Sequence, residues 1–175
     1  MTKRWAAKDI PDLSGKTIVV TGGNSGLGFE AARWLVGKRA HVVLACRDLR
    51  KARETAESLV SEHPDASVEA MKLDMADLRS VRRFVDEFRD EHRALHVLCN
   101  NAGVMAPPRR TTVDGFELQF GTNHLGHFAL TGLLLDLLLA TPGARVVTVS
   151  SSAHRLGRVR FDDLHGERSY GKWAA

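Results

Sequence analysis

The sequence of 175 residues has few cysteines, and their positions exclude a domain held together by disulfides. Cys46 and Cys99 are the only two, and each ends an apolar, strand-like run. If those two strands flank a third, their backbones lie about 9–10 Å apart, beyond the ~7 Å limit for a disulfide. We therefore predict reduced thiols, which favour a cytoplasmic location.

Long apolar segments are missing as well. The most apolar stretch, residues 128–140, has 13 residues and includes Asp136, whereas a membrane-spanning helix needs about 20. Residues 1–16 are polar and contain Pro11, unlike a secretory signal. The sequence thus predicts no membrane span and a soluble, cytoplasmic protein.

Neither sign of charge is in large excess, because 25 Lys and Arg stand against 21 Asp and Glu, a net charge of +4. The nearest approach to a basic cluster, Arg155, Arg158 and Arg160, is too thin to predict a nucleic-acid partner. Hydrophobic residues make up 43% and charged residues 26%, which is ordinary for a globular chain. Length and composition together predict one domain with a single fold.

Strand-like and helix-like segments alternate along the chain. The predicted strands are Lys16–Thr21, His41–Ala45, Ser67–Lys72, Leu95–Cys99 and Ala144–Ser150. Apolar residues recur at helical spacing between them: Leu27, Ala31 and Leu35 predict the buried stripe of the first helix, and one long helix is predicted from about residue 115 to 140. This alternation predicts an α/β fold with a mainly parallel, doubly wound sheet.

A glycine-rich loop, residues 21–28 (TGGNSGLG), joins the first strand to the first helix. Glycines let a backbone approach a pyrophosphate closely, and a helix N-terminus offers free N–H groups and the positive end of its dipole. The spacing from Gly22 is G-x-x-x-G-x-G, and Phe29-Glu30 stand where a P-loop requires Lys-Ser/Thr. The position of the loop between strand and helix favours dinucleotide binding over a turn without a ligand.

The end of the second strand bears on which dinucleotide binds. An acidic residue about 20 residues past the loop suits the ribose hydroxyls of NAD, whereas an arginine suits the 2′-phosphate of NADP. Arg47 stands there, followed by Asp48. The sequence favours NADP; Asp48 leaves NAD open, and Arg47 could instead be a surface cation at the start of a helix.

Four further motifs follow in order: Asp74 after the third strand, NNAG at residues 100–103, Asn123 in TNHLG, and three serines at residues 150–152. With the glycine loop, they resemble the short-chain dehydrogenase/reductase family of the classical type. Flanking segments such as ACRD and CNNAGVM resemble its retinol-dehydrogenase-like branch. The resemblance covers about residues 14–165. It implies a three-layer Rossmann domain over residues 14–175 after an N-terminal extension (residues 1–13), with strand order 3-2-1-4-5 and later strands missing.

The resemblance also implies roles for individual residues. The cofactor-binding set is Gly22, Asn24, Ser25, Gly26, Leu27 and Gly28 at the pyrophosphate, Arg47 at the 2′-phosphate, Asp74 and Met75 at the adenine, and Asn101, Ala102 and Gly103 beside the cofactor. Asn123 would hold a water in a proton relay, and Ser151 would hydrogen-bond the substrate oxygen. Taken singly, Asp74 and Ser151 could be turn residues, and Asn123 could merely break a helix. No metal site is expected, and His124 and His127 are interpreted as packing or surface groups.

The implied activity is hydride transfer between NADP(H) and an alcohol, aldehyde or ketone, by a full-length form that is a homo-oligomer. The family's proton donor is a tyrosine followed four residues later by a lysine. The only tyrosine is Tyr170, with Ala174 four residues on, and Lys172 has the wrong spacing to share its helix face. We interpret residues 1–175 as an inactive fragment with an exposed apolar flank on the fifth strand. A non-catalytic dinucleotide-binding module and another α/β fold, such as a methyltransferase, remain as alternatives.

Overall fold

The computed structural model describes residues 5–155 and 157–171. Residues 1–4 of the predicted extension, Lys172 and Ala174 lie outside the described residues. The strands are β1 (Thr17–Thr21), β2 (His41–Cys46), β3 (Ser67–Lys72), β4 (Val97–Asn100) and β5 (Arg145–Thr148). The helices are α1 (Gly26–Val36), α2 (Leu49–Glu62), α3 (Leu78–Glu91), α4 (Gly126–Leu133) and α5 (Leu135–Ala140).

The five strands form one parallel sheet in the order β3-β2-β1-β4-β5, which confirms the predicted fold class and strand order. Side chains alternate between the two faces of a strand. Val19 therefore lies in the core under α3 and α4, while Ile18 and Val20 lie in the core under α1 and α2. Layers of helices on both faces are why β1 reads as an unbroken apolar run.

Both cysteines are free thiols, on strands that flank β1 as predicted. Cys99 pairs in register with Val20, which in turn pairs with Leu44 on β2. Burial raises the pKa of Cys46 and raises that of Cys99 to about 11. Both groups are therefore protonated packing residues at neutral pH.

The predicted buried stripe of α1 is wrong by one residue. Leu27 is 76% exposed, and Gly28, Ala32 and Val36 are the positions that face the sheet. The cause lies at the start of the helix, where Gly28 packs directly against the loop backbone at Gly22. That contact sets the rotation of the whole helix and turns Leu27 outward.

The single helix predicted from about residue 115 to 140 is also wrong. A π-helical segment (Phe120–Leu125) leads into α4, and Leu134, with a ψ of 0°, separates α4 from α5. Gly126 comes so close to the segment after β3 that a Cβ there would lie 2.4 Å from the Met75 carbonyl oxygen. The π-helical segment ends directly before this close approach, and such segments are frequent at functional sites.

The outer strand β5 is exposed along its length, as predicted for its apolar flank. Val146, Val147 and Val149 are each between 44% and 51% exposed. An uncovered apolar edge strand is a site for unwanted strand pairing. None of the helices described is both long enough and apolar enough to cross a bilayer.

Asp77 stands directly before the apolar helical pattern of α3, a position that predicts an N-cap. Its carboxylate does cap the helix, accepting hydrogen bonds from the backbone N–H groups of Arg79 and Ser80. Asp77→Ala is expected to lower the free energy of unfolding by about 1 kcal/mol, the usual value of such a cap. Urea denaturation followed by circular dichroism measures the change. Asp77→Asn, which keeps an accepting oxygen, should lose less than Asp77→Ala; equal losses would show that the cap hydrogen bonds do not stabilise α3.

Candidate functional site

A cleft of about 550 Å³ opens at the carboxyl ends of β1 to β4. Its walls include nearly all the residues predicted to bind a cofactor, from four separate segments: Gly22, Asn24, Ser25, Leu27, Gly28, Arg47, Asp74, Met75, Asn101, Ala102 and Gly103. Gly26, the remaining member of the set, begins α1 and is not one of the wall residues. Open parallel sheets bind ligands at this edge, where the strand order reverses. Here the reversal falls between β1 and β4.

The floor of the cleft is a glycine loop in which Gly22 and Gly28 have no room for a side chain. Gly22 has a φ of +65°, and a Cβ there would lie 3.1 Å from the Cα of Ala102. A Cβ at Gly28 would lie 2.4 Å from the Asn101 Nδ2 and 2.5 Å from the Gly22 carbonyl oxygen. Among the described residues, the Ser25 side chain makes no capping hydrogen bond to α1. The first-turn N–H groups of α1, which the Ser25 side chain does not cap, therefore lie at a concave backbone surface that suits an anion.

Thr21, the last residue of β1, holds the two loops of the cleft together. Its buried hydroxyl accepts hydrogen bonds from the backbone N–H groups of Asn101 and Ala102, both at 2.9 Å. The Asn101 side-chain amide donates in return to the Thr21 carbonyl oxygen, also at 2.9 Å. The loop after β4 is thereby fixed against the start of the glycine loop.

The same network continues to the π-helical segment through His127. The imidazole Nδ1 lies 3.0 Å from the Asn123 carbonyl oxygen, and Nε2 lies 3.0 Å from the Thr21 hydroxyl. Because a carbonyl oxygen can only accept, Nδ1 carries the proton and Nε2 accepts from Thr21. Burial lowers the pKa of His127, which keeps the ring neutral, as this arrangement requires. His127 is a buried packing group, whereas His124 is exposed.

The Asn123 side chain makes two hydrogen bonds to the loop after β4. Its Oδ1 accepts from the Val104 N–H and its Nδ2 donates to the Val104 carbonyl oxygen, both at 2.8 Å. Gly103 lies next to this pair, and a Cβ there would come 3.2 Å from the Asn123 Oδ1. The amide keeps a second N–H and a second lone pair beyond these two bonds; that Asn123 holds a water in a proton relay stays a prediction.

The end of the cleft beside Arg47 contains two aspartates that make different contacts. Asp48 caps α2, accepting from the Lys51 N–H at 3.1 Å, and this bond lowers the pKa of its carboxyl. Asp74 accepts from the Ala76 N–H through Oδ1 at 3.0 Å and still lines the cleft. Arg47, exposed at the cleft mouth, and Lys51 add positive charge beside them.

Ser151 and Tyr170 lie apart from this wall. Ser151 is exposed, follows β5, and accepts a hydrogen bond on its carbonyl oxygen from the His154 N–H. Tyr170 lines a second cavity of about 310 Å³, and its hydroxyl contacts the Pro107 carbonyl oxygen at 3.1 Å and Glu117 Oε1 at 3.3 Å. Burial, with Glu117 beside it, raises the pKa of Tyr170. A proton donor working near neutral pH needs the opposite shift.

Sequence reasoning missed Thr21 and Lys51, and it predicted His127 only as a packing or surface group. Thr21 stands at the junction of strand and loop, where a buried hydroxyl could have been anticipated. The contact of His127 with Thr21 has no signature in the local sequence, because the two residues are 106 positions apart. The other partner of His127, the Asn123 carbonyl oxygen, is four positions away.

Comparisons with known proteins agree with this geometry. The family model for short chain dehydrogenase matches residues 16–162. Retinol dehydrogenase 12 of Mus musculus is 47% identical over 158 residues, which cover 90% of this chain and 50% of that protein. The chain thus spans about half the length of the curated relatives it matches.

Two solved structures have the same fold. The crystal structure of an uncharacterized protein from Mycobacterium paratuberculosis is 47% identical, with a TM-score of 0.84 over 97% of this chain and 59% of that one. The RhlG/NADP active-site complex of Pseudomonas aeruginosa is 28% identical, with a TM-score of 0.70 over 81% of this chain and 57% of that one.

Proposed function

The chain belongs to the short-chain dehydrogenase family, in its retinol-dehydrogenase-like branch, and on that premise we propose that it forms the NADP-binding part of an oxidoreductase acting on an alcohol or carbonyl group. The observation that carries this proposal is the cleft, where the glycine loop, Arg47, Asp74 and Asn101 meet although they are far apart in sequence. Family membership also removes the alternative of another α/β fold, such as a methyltransferase.

The residues of the cleft fit a dinucleotide phosphate. Gly22 and Gly28 leave a hollow that a Cβ would fill, and the α1 N-terminus provides N–H groups for a pyrophosphate. Asp74 would accept a hydrogen bond from the adenine amine, with Met75 against the ring. Arg47 would bind the 2′-phosphate. That a Pseudomonas aeruginosa relative has been solved with NADP supports the same choice.

NAD is the less favoured cofactor, because the Asp48 carboxylate caps α2. An aspartate that holds ribose hydroxyls must direct its carboxylate at them, and the Asp48 carboxylate is occupied in capping α2. Arg47 and Lys51 then leave the cleft mouth cationic. A cationic mouth stabilises a phosphate far more than a pair of neutral hydroxyls.

The bound cofactor would supply or accept the hydride. For the chain's own residues, we propose that Ser151 donates a hydrogen bond to the substrate oxygen and that Asn123 holds a water in a proton relay. Tyr170 does not fit as proton donor, since its hydroxyl is bonded to Pro107 and Glu117 and its pKa is raised. We therefore propose that residues 1–175 by themselves bind the cofactor without turning over substrate.

Binding of NADPH to the chain tests the proposal. We expect saturable binding of one NADPH per chain, measured by calorimetry and by enhancement of nicotinamide fluorescence. NADH should bind more weakly. No binding to protein that is folded by circular dichroism would contradict the proposal.

A second assay separates a catalytic part from a non-catalytic dinucleotide-binding module. With NADPH and a panel of aldehydes and ketones, residues 1–175 should show no oxidation of NADPH. Measurable turnover would show that the proton donor lies among these residues after all. The module alternative gains support if a longer form of the chain that includes a Tyr-x-x-x-Lys motif is equally inactive.

A further inference from the structure

Three potential metal ligands meet at the edge of the sheet opposite the cleft. His41 is the first residue of β2, Glu69 lies in β3, and His92 directly follows α3. Glu69 Oε1 lies 2.6 Å from His92 Nε2 and 3.2 Å from His41 Nε2, and all three ligand atoms lie within 4.8 Å of one another. Two imidazoles and one carboxylate are a donor set that binds divalent transition metals.

The fold brings these residues together by strand register. In the parallel pair of β2 and β3, His41 pairs with Ser67 and Val43 pairs with Glu69. Alternate residues share a face, so the side chains of His41 and Glu69 lie on the same side of the sheet as Val43. That is the face α3 covers, because Val43 and Phe88 belong to one core.

The end of α3 completes the cluster. The His92 ring lies 4.5 Å from the ring of Phe88, its predecessor by one helical turn, and 5.3 Å from the ring of His41. The side chain of His92 is only 14% exposed, and those of His41 and Glu69 are 27% and 31% exposed. The three groups are thus partly shielded from water and held by three different elements.

We propose that His41, Glu69 and His92 form a binding site for a divalent transition-metal ion, with Zn²⁺ the best match. Zinc lies about 2.0–2.2 Å from imidazole nitrogen and carboxylate oxygen, which places tetrahedral ligands roughly 3.3 Å apart. The separations of 2.6 and 3.2 Å from Glu69 Oε1 therefore need to open by less than about 1 Å. Three protein ligands leave one position for a water.

A neighbouring hydroxyl is placed to support the metal-binding tautomer of one ligand. His41 Nδ1 lies 2.6 Å from the Ser67 Oγ. When Nδ1 donates its proton to that oxygen, the lone pair of Nε2 is left for the metal, which is the usual support for a metal-binding histidine. Without an ion, the Glu69 carboxylate accepts hydrogen bonds from the rings; the ion takes the place of those protons.

The site connects β2, β3 and the end of α3, and it lies at the opposite edge of the sheet from the cofactor cleft. Its expected role is structural, so binding and stability are the properties to measure. A ligand that binds only the folded chain raises its melting temperature. We expect Zn²⁺ to do so for the wild-type chain and not for variants that lack a ligand.

Calorimetric titration of the untagged chain with Zn²⁺ tests the proposal. We expect one ion per chain, and His92→Gln and Glu69→Gln each to weaken the binding at least 100-fold. Ser67→Ala should weaken it about 10-fold, as loss of a supporting hydrogen bond does. His63→Gln is the matched control: His63 lies 3.8 Å from Glu62 but has no third ligand within the part of the chain that the structure describes, and its replacement should leave Zn²⁺ affinity unchanged.

Two outcomes would overturn the proposal. One is the absence of stoichiometric Zn²⁺ binding, or binding that is equally tight in wild type, His92→Gln and Glu69→Gln. The other is a thiolate charge-transfer band on addition of Co²⁺, which would place the ion at Cys46 or Cys99; the expected spectrum has only the d–d bands of a nitrogen and oxygen site. If His92→Gln does not fold by circular dichroism, His41→Gln provides the same comparison.

Discussion

Gly28→Ala is expected to weaken NADPH binding by ~100-fold or more, equivalent to about 2.7 kcal/mol. The added Cβ would lie 2.5 Å from the Gly22 carbonyl oxygen and 2.4 Å from the Asn101 Nδ2. Neither neighbour can yield freely, because Gly22 is packed on Ala102 and the Asn101 amide is bonded to the Thr21 carbonyl oxygen. The loop must move, and with it the surface proposed to hold the pyrophosphate.

The same substitution is expected to lower stability, since overpacking of this kind costs about 1–3 kcal/mol. NADPH affinity is therefore measured by calorimetry on protein shown to be folded by circular dichroism, below its melting temperature. Gly132→Ala is the matched control: a Cβ at Gly132 meets nothing within 4 Å, and alanine favours its helix by up to about 1 kcal/mol. If Gly28→Ala bound NADPH within threefold of wild type, the glycine loop would not be the pyrophosphate site.

Local rules sufficed for the parts of the fold that depend on neighbours in sequence. Asp77 caps α3 because an aspartate before an amphipathic run is nearly always a cap. The strand Ser67–Lys72 was predicted with its true bounds, although it is the weakest of the apolar patterns. The position of the glycine loop likewise predicted the cleft, because parallel strands bring their carboxyl ends to one edge.

Local sequence patterns predicted the structure wrongly where tertiary contacts determine which face of a helix is buried or where a helix is interrupted. The period of four in Leu27, Ala31 and Leu35 is a true helical period on the wrong face, because the contact of Gly28 with Gly22 sets the rotation of α1. The helix predicted over residues 115–140 is interrupted by the π-helical segment, which ends directly before the close approach of Gly126 to Met75, a contact with another segment.

A cluster of side chains that come from distant segments has no characteristic residue spacing in the sequence. His41, Glu69 and His92 are spread over 52 positions, and only the register of β2 on β3 and the length of α3 bring them together. The Thr21–His127 contact spans 106 positions. Such groups can be found from sequence only after the sheet order and the faces of its strands are known.

The choice of cofactor rests on one exposed side chain, and its removal has the second large effect we expect. Arg47 follows the last residue of β2 and lies at the cleft mouth. A charge-assisted hydrogen bond between an arginine and a phosphate contributes about 1.5–3 kcal/mol. NADH has no 2′-phosphate, so it has no group with which this interaction can form.

Arg47→Ala should therefore weaken NADPH binding by ~10- to 100-fold, which is that range of energy expressed as affinity, and change NADH binding by less than threefold. Calorimetry with both cofactors measures the two ratios on the same protein. Arg50→Ala is the matched control, because Arg50 lies three residues on, is exposed, and pairs with Glu54 on its own helix. Its loss removes the same charge from the same region and should leave the ratio between NADPH and NADH unchanged.

The ratio of NADPH affinity to NADH affinity distinguishes a specific phosphate contact from a general effect of charge, which the NADPH affinity alone does not. A general loss of positive charge would reduce NADPH binding slightly in both variants, whereas a specific phosphate contact lowers it only in Arg47→Ala. Equal losses of NADPH and NADH in Arg47→Ala would mean that Arg47 supports the loop rather than the 2′-phosphate. The NADP assignment would then be wrong, and Asp48, released from its cap on α2, would become the residue to test against the ribose of NAD.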